Sequence, residues 1–109
     1  DKPPSAYIDE KVHISLGNIL VIRAQQTNDP KLYLEAVTHY QQVIDTYHSN
    51  QNETTQGFAE IAYFGLGAAY ERQKSYSKAK DAYQQCLTLT TNPDLETRCK
   101  TQLELKQFQ

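Results

Sequence analysis

An all-α domain of five helices, four paired into two successive hairpins and a fifth closing the end, is the fold class this sequence predicts. Three observations carry it. Apolar and small residues recur at the 3–4 spacing of a helix face, no segment sustains the alternation of a strand, and the chain repeats itself. Tyr33-Leu34-Glu35-Ala36-Val37-Thr38-His39-Tyr40-Gln41-Gln42-Val43-Ile44 lies over Tyr76-Ser77-Lys78-Ala79-Lys80-Asp81-Ala82-Tyr83-Gln84-Gln85-Cys86-Leu87 at an offset of 43. Upstream, His13-Ile14-Ser15-Leu16-Gly17-Asn18-Ile19-Leu20 lies over Tyr63-Phe64-Gly65-Leu66-Gly67-Ala68-Ala69-Tyr70 at an offset of 50.

The first helix is expected at about 8–27, where Val12, Ile14, Leu16, Ile19, Leu20, Val21 and Ile22 are apolar around more than one face. The second, about 30–48, has Asp29 as N-cap and Pro30 at its first position. The run His48-Ser49-Asn50-Gln51-Asn52-Glu53-Thr54-Thr55 has no apolar residue to bury and reads as a surface loop over 48–56. A third helix follows at about 56–73. The fourth, 76–90, starts after Ser75 and places Tyr76, Ala79, Tyr83, Cys86 and Leu87 on one stripe. The fifth opens at Asn92-Pro93 and is expected over 93–107. The first copy carries seven extra residues between its halves, close to two helical turns. One added turn on each helix lengthens that hairpin without rotating an apolar face out of register. The expected organisation is one domain over 1–109: repeat one at about 9–48 with its insertion, repeat two at about 57–91, and the capping helix.

Composition excludes several functions. The 109 residues form one core, which buries roughly two-thirds of the unfolded surface. A net charge of −2 gives no broad basic surface for nucleic acid, and no apolar run approaches the ~20 residues of a membrane span. The chain has no methionine and no signal-like opening, and is expected to be a processed piece of a larger protein. Cys86 and Cys99 are too few for a disulfide framework, and their spacing is no metal motif; buried free thiols are favoured over a single disulfide.

No P-loop, dinucleotide-type glycine run, HExxH, CxxC or nucleophile elbow is present. His13, His39 and His48 share no ligand spacing, and the carboxylates are scattered among lysines as on a solvated surface. His13 is expected to pack half-buried at an aromatic position, His39 on an exposed or inter-helix face, and His48 in the loop. No enzyme, metal site or cofactor is therefore expected. Asn52-Glu53-Thr54 is formally a glycosylation acceptor, and Lys74, Lys78 and Lys80 form the densest positive cluster; both read as ordinary surface.

Tyr63, Leu66-Gly67, Tyr70, Tyr76, Ala79, Tyr83 and the small Cys86 together closely resemble the tetratricopeptide repeat. The first copy matches at Leu16, Gly17, Ala36 and Tyr40, with His13 and Leu20 at aromatic positions. The resemblance covers roughly residues 9–93. It implies a right-handed superhelix of two helix-turn-helix hairpins with a capping helix, similar to looser bacterial arrays with long inter-repeat loops. It also implies a concave groove lined by first-helix residues: Lys11, Ile14, Asn18 and Val21, then Ile61, Phe64, Ala68, Glu71 and Arg72, then Arg98 with Thr101, Gln102 and Leu105. The lysine, asparagine and arginine clamp of related cochaperones is matched only by Asn18. Physically, Gly17 and Gly67 are expected to permit close backbone approach between paired helices.

The function expected is a protein-interaction module that takes an apolar peptide or helix in that groove, in a scaffold or assembly role. The alternative is a structural spacer or homo-oligomerisation segment, with a homodimer possible through the first helix. The partner is a protein or peptide; nucleic acid and direct membrane insertion are not expected. The compartment stays open, the cytoplasm favoured over the bacterial envelope.

Overall fold

In the computed structural model, residues 8–105 and 108 are described. They form five α-helices with no strand among them: α1 Ile8–Thr27, α2 Pro30–Ser49, α3 Glu53–Arg72, α4 Tyr76–Leu89 and α5 Pro93–Leu103. Each helix packs on the next in sequence, and α1 also touches α3, the arrangement of stacked hairpins.

Local chemistry fixes the starts. The Asp29 carboxylate accepts from the Lys31 backbone N–H at 3.0 Å, and Pro30 follows at the position where a missing N–H costs nothing. The Asn92 side chain likewise accepts from Asp94 and Leu95 ahead of α5. Ser75 makes no side-chain cap before α4. The tight turns inside the two hairpins each contain one left-handed residue, Asn28 (φ 56°) and Lys74 (φ 61°).

The seven-residue insertion falls within the helices of the first hairpin. α1 continues from Gly17 to Thr27 where α3 runs only from Gly67 to Arg72, and α2 begins before Tyr33 where α4 begins at Tyr76 itself. The loop expected over 48–56 is much shorter. α2 reaches Ser49, and α3 begins at Glu53 because Asn52 and Thr55 cap each other. The Asn52 amide oxygen accepts from the Thr55 N–H at 2.9 Å, and the Thr55 hydroxyl accepts from the Asn52 N–H at 3.0 Å. This cap occupies the Asn52 side chain of the formal glycosylation acceptor. The fifth helix also ends earlier than expected, at Leu103, followed by a turn at Glu104; positions 106 and 107 of the expected helix lie outside the described residues.

The core is a column of small residues and tyrosines. Ala36 and Ala79 are fully buried, and Tyr40 and Tyr83 are each 1% exposed. The close approach at the glycines is to a tyrosine ring rather than to a backbone. A Cβ on Gly17 would lie 2.7 Å from the Tyr40 ring, and one on Gly67 would lie 2.6 Å from that of Tyr83. Gly65 of the second repeat lies against the same ring of Tyr40. Tyr83 has a different neighbour. Phe108, 5% exposed, meets it edge-on with ring centres 5.8 Å apart.

Cys86 and Cys99 are not free thiols. Both fully buried, they form a disulfide between α4 and α5, whose hairpin brings their Cα atoms to 6.7 Å. α5 buries only Cys99 completely, with Leu95 and Leu103 partly covered. The bond therefore holds a weakly packed helix. Side chains of α3 assist: Gln56 donates to the Leu89 carbonyl at 2.7 Å, and Glu60 accepts from the Thr91 N–H at 3.0 Å. Cys99→Ser should cost about 3 kcal/mol by loop-closure entropy. Hydrogen exchange should then show α5 opening while α1 to α3 keep their protection; uniform loss across all five helices would count against a local role for the bond.

Candidate interaction surface

α3 turns Ala59, Ala62, Leu66 and Ala69 into the core, so the opposite side of the same helix is open to solvent. That side presents Gly57, Ile61, Phe64, Ala68 and Arg72, spaced three or four apart. Ile61 is 46% exposed, Phe64 and Ala68 are half-buried, and Arg72 is exposed. The Phe64 ring leans on Tyr83, with centres 5.8 Å apart, which fixes its direction. At the N-terminal end of the stripe a hollow of about 310 Å³ is lined by Gly57, Phe58 and Ile61 of α3 and by Asn92 and Leu95 of the α5 entry. At the other end a second, about 370 Å³, lies among Ala24, Pro30, Tyr33 and Arg72.

Two phenols join this face to the core. The Tyr40 hydroxyl donates to the Asn18 amide oxygen at 2.5 Å, and the Tyr83 hydroxyl donates to Glu71 at 2.8 Å. Burial pushes the Tyr40 phenol up to about 12 against a small opposing pull from Arg72. Tyr83 is raised further, by burial first and then by its bond to Glu71. Both remain neutral donors at ordinary pH. With the Gln25 amide turned so that its oxygen faces α3, the Arg72 guanidinium donates to it at 2.5 and 3.0 Å, bridging α3 to α1.

The expected groove residues divide accordingly. Ile61, Phe64, Ala68, Glu71 and Arg72 share one continuous face, and Lys11 and Asn18 are exposed on α1. Ile14 and Val21, each 9% exposed, are a correction: they point into the core with Gly17 and Ala24 and offer almost no contact surface. Arg98 is exposed and paired with Asp94 one turn back on its own helix, at 3.6 Å. Sequence reasoning missed Gly57 and Leu95 beside Ile61, Gln25 beneath Arg72, and Gly65 against Tyr40. Gly57 was within reach, being one turn before Ile61 on the same stripe.

His13 and His39 approach across α1 and α2, their Nδ1 atoms 2.8 Å apart, so one imidazole donates to the other. The ring centres are 5.0 Å apart, which lays the two nitrogens nearly on the line between them. The N–H of one ring points at the lone pair of the other, so the two nitrogens do not converge on a third point. Among the described residues no three His, Cys, Asp or Glu side chains gather as a metal-ligand set, and no helix is long and apolar enough to cross a membrane.

Residues 61–93 match the family model of the Tetratricopeptide repeat, from the exposed Ile61 of α3 through α4 to Pro93. No curated protein and no solved structure matches the chain. Repeats of this kind generally mediate protein–protein interaction or scaffolding and are typically not enzymes. Residues 61–93, about a third of the chain, are thus similar to a tetratricopeptide repeat.

Proposed function

We infer that this protein captures a polypeptide segment along the open face of α3, as a scaffold or assembly factor. One observation carries the reading: after the core is complete, Ile61 remains exposed and Phe64 and Ala68 half-buried on one helical stripe that ends at a charged pair of residues, Glu71 and Arg72. An apolar stripe with a charged end suits a partner that presents apolar side chains at regular spacing and one polar group for orientation. The hollow beside Ile61 takes one such anchoring side chain.

The Cys86–Cys99 bond favours an oxidising compartment as the place of this capture, since disulfides persist there and are rare in the cytosol.

Ile61→Glu tests the contact more cleanly than any change at Phe64, because Phe64 also packs on Tyr83. The melting curve of Ile61→Glu should stay close to that of the parent protein. A polypeptide recovered on the immobilised parent chain should fall at least about tenfold on Ile61→Glu, the loss of a central contact of ~1.4 kcal/mol or more. It should remain on Lys80→Glu, an exposed change on α4. An identical set of bound polypeptides on parent and Ile61→Glu would remove the α3 face from the binding site.

A further inference from the structure

α1 has two apolar seams, and the fold uses one. Its buried residues, Glu10, Ile14, Gly17, Val21 and Ala24, follow a spacing of four and three. Ile8, Val12, Ser15, Ile19 and Ile22 follow the same spacing, which at 100° per residue puts them on the diametrically opposite side of the helix. That side is open: Ile8 is 56% exposed, Val12 46%, Ile19 52% and Ile22 53%, with Leu16 beside them at 38%. α2 and α3 both lie on the other side of α1. A repeat of four and three is the pattern that a second helix reads by inserting side chains between successive turns. A shallow hollow of about 260 Å³ between Lys11, Val12, Ser15 and Leu16 offers such an insertion point.

The charges beside this seam decide what covers it. Asp9 and Arg23 are both exposed, lie seven residues before and seven residues after Leu16, and therefore share one flank of the helix. Turned about a two-fold axis level with Leu16, Asp9 of one α1 faces Arg23 of another, and the reverse pair forms by symmetry. A parallel pair would instead carry the two copies of this flank to opposite sides of the seam, where Asp9 and Arg23 do not meet. The antiparallel arrangement also opposes the two helix dipoles favourably and brings Ile19 close to Val12, and Ile22 close to Ile8, of the second copy.

We propose that this outward seam is a self-association surface, on which two copies of this chain pair their first helices antiparallel. One helix per copy makes a small contact, below the ~1,200 Å² at which stable complexes begin, so the dimer is weak and concentration-dependent. The proposal rests on the far side of α1 and does not depend on the reading of α3.

Sedimentation velocity of the 109-residue chain over a hundredfold concentration range tests it. The expected result is a monomer–dimer equilibrium that weakens about tenfold or more with Ile19→Glu and is unchanged by Ile61→Glu. Asp9→Arg and Arg23→Asp should each weaken the dimer, and the two changes together should restore it. All four side chains are exposed, so circular dichroism melts should match the parent protein and separate lost association from lost folding. A chain that stays monomeric throughout would overturn the proposal, whatever else covers the seam. So would a dimer that the paired charge reversal fails to restore, since only antiparallel self-pairing brings those two side chains together.

Discussion

Tyr40→Ala should remove about 4 kcal/mol of folding stability, the scale seen when a buried aromatic is cut back to a methyl group. Domains of this size hold ~5–15 kcal/mol in total, so the melting temperature should fall on the order of 20 °C. The large effect follows from position. The ring is 1% exposed, comes from α2, and lies against both Gly17 of α1 and Gly65 of α3, so one truncation opens both the first hairpin and its contact with the second. Tyr40→Phe keeps the ring and loses only the hydroxyl's bond to Asn18, which should cost about 1 kcal/mol. The two variants also part with pH. An unfolded tyrosine ionises near 10, whereas burial holds Tyr40 neutral up to about 12. Its contribution is fully present below pH ~10 and is lost as pH rises from there through the folded value. Thermal melts taken from pH 8 to 11 should show the parent protein losing stability faster than Tyr40→Phe. Some loss will persist in Tyr40→Phe because Tyr83 is raised in the same direction. Equal alkaline slopes would mean that Tyr40 is not the buried phenol described.

The same tyrosine explains why so much of the fold was legible. Tyr40 and Tyr83, with Ala36 and Ala79 four residues earlier, mark the second helix of each hairpin in sequence and again as its most buried positions. Asp29 and Asn92 fixed two helix starts because an Asx residue followed by proline has few other local uses. The start of α3 was hidden because its cap, Asn52 with Thr55, uses the polar residues that also make a loop, and only the backbone geometry distinguishes them. The disulfide was hidden for a similar reason: a separation of thirteen residues says nothing of distance until a hairpin closes it. Ile14 and Val21 were assigned to the groove by the resemblance, and both faces of α1 repeat at the same spacing. Periodicity alone gives no ground for choosing which seam the core takes. α3 raised no such conflict, since its alanine-rich side packs and leaves Ile61, Phe64 and Ala68 as the remainder.

Gly65→Ala should destabilise the protein by about 2–3 kcal/mol, although in an exposed helix the same change is favourable by ~1 kcal/mol. The reversal of sign comes from contact. A Cβ at Gly65 would lie 2.5 Å from Cζ and 2.6 Å from Cε1 of Tyr40, far inside van der Waals distance. Gly17 of α1 crowds the same ring atoms, where a Cβ would lie 2.7 Å away, and the ring is 1% exposed, so it has little room to move. Something larger must give, and the available movement is separation of α3 from α1 and α2. Gly57 is the internal control: it lies on the same helix, and a Cβ there would meet nothing within 4 Å. Gly57→Ala should therefore raise stability by about 0.5–1 kcal/mol. Pairing Gly65→Ala with Tyr40→Leu, which shortens the obstructing side chain, should cost less than the sum of the two single changes. A coupling of roughly 1–3 kcal/mol is expected between residues in direct contact. Urea denaturation of the four proteins measures all of these quantities. If Gly65→Ala stabilised the chain as Gly57→Ala does, the ring would not be held against the two glycines. The hairpins would then have to be joined by some other contact than the Tyr40 side chain.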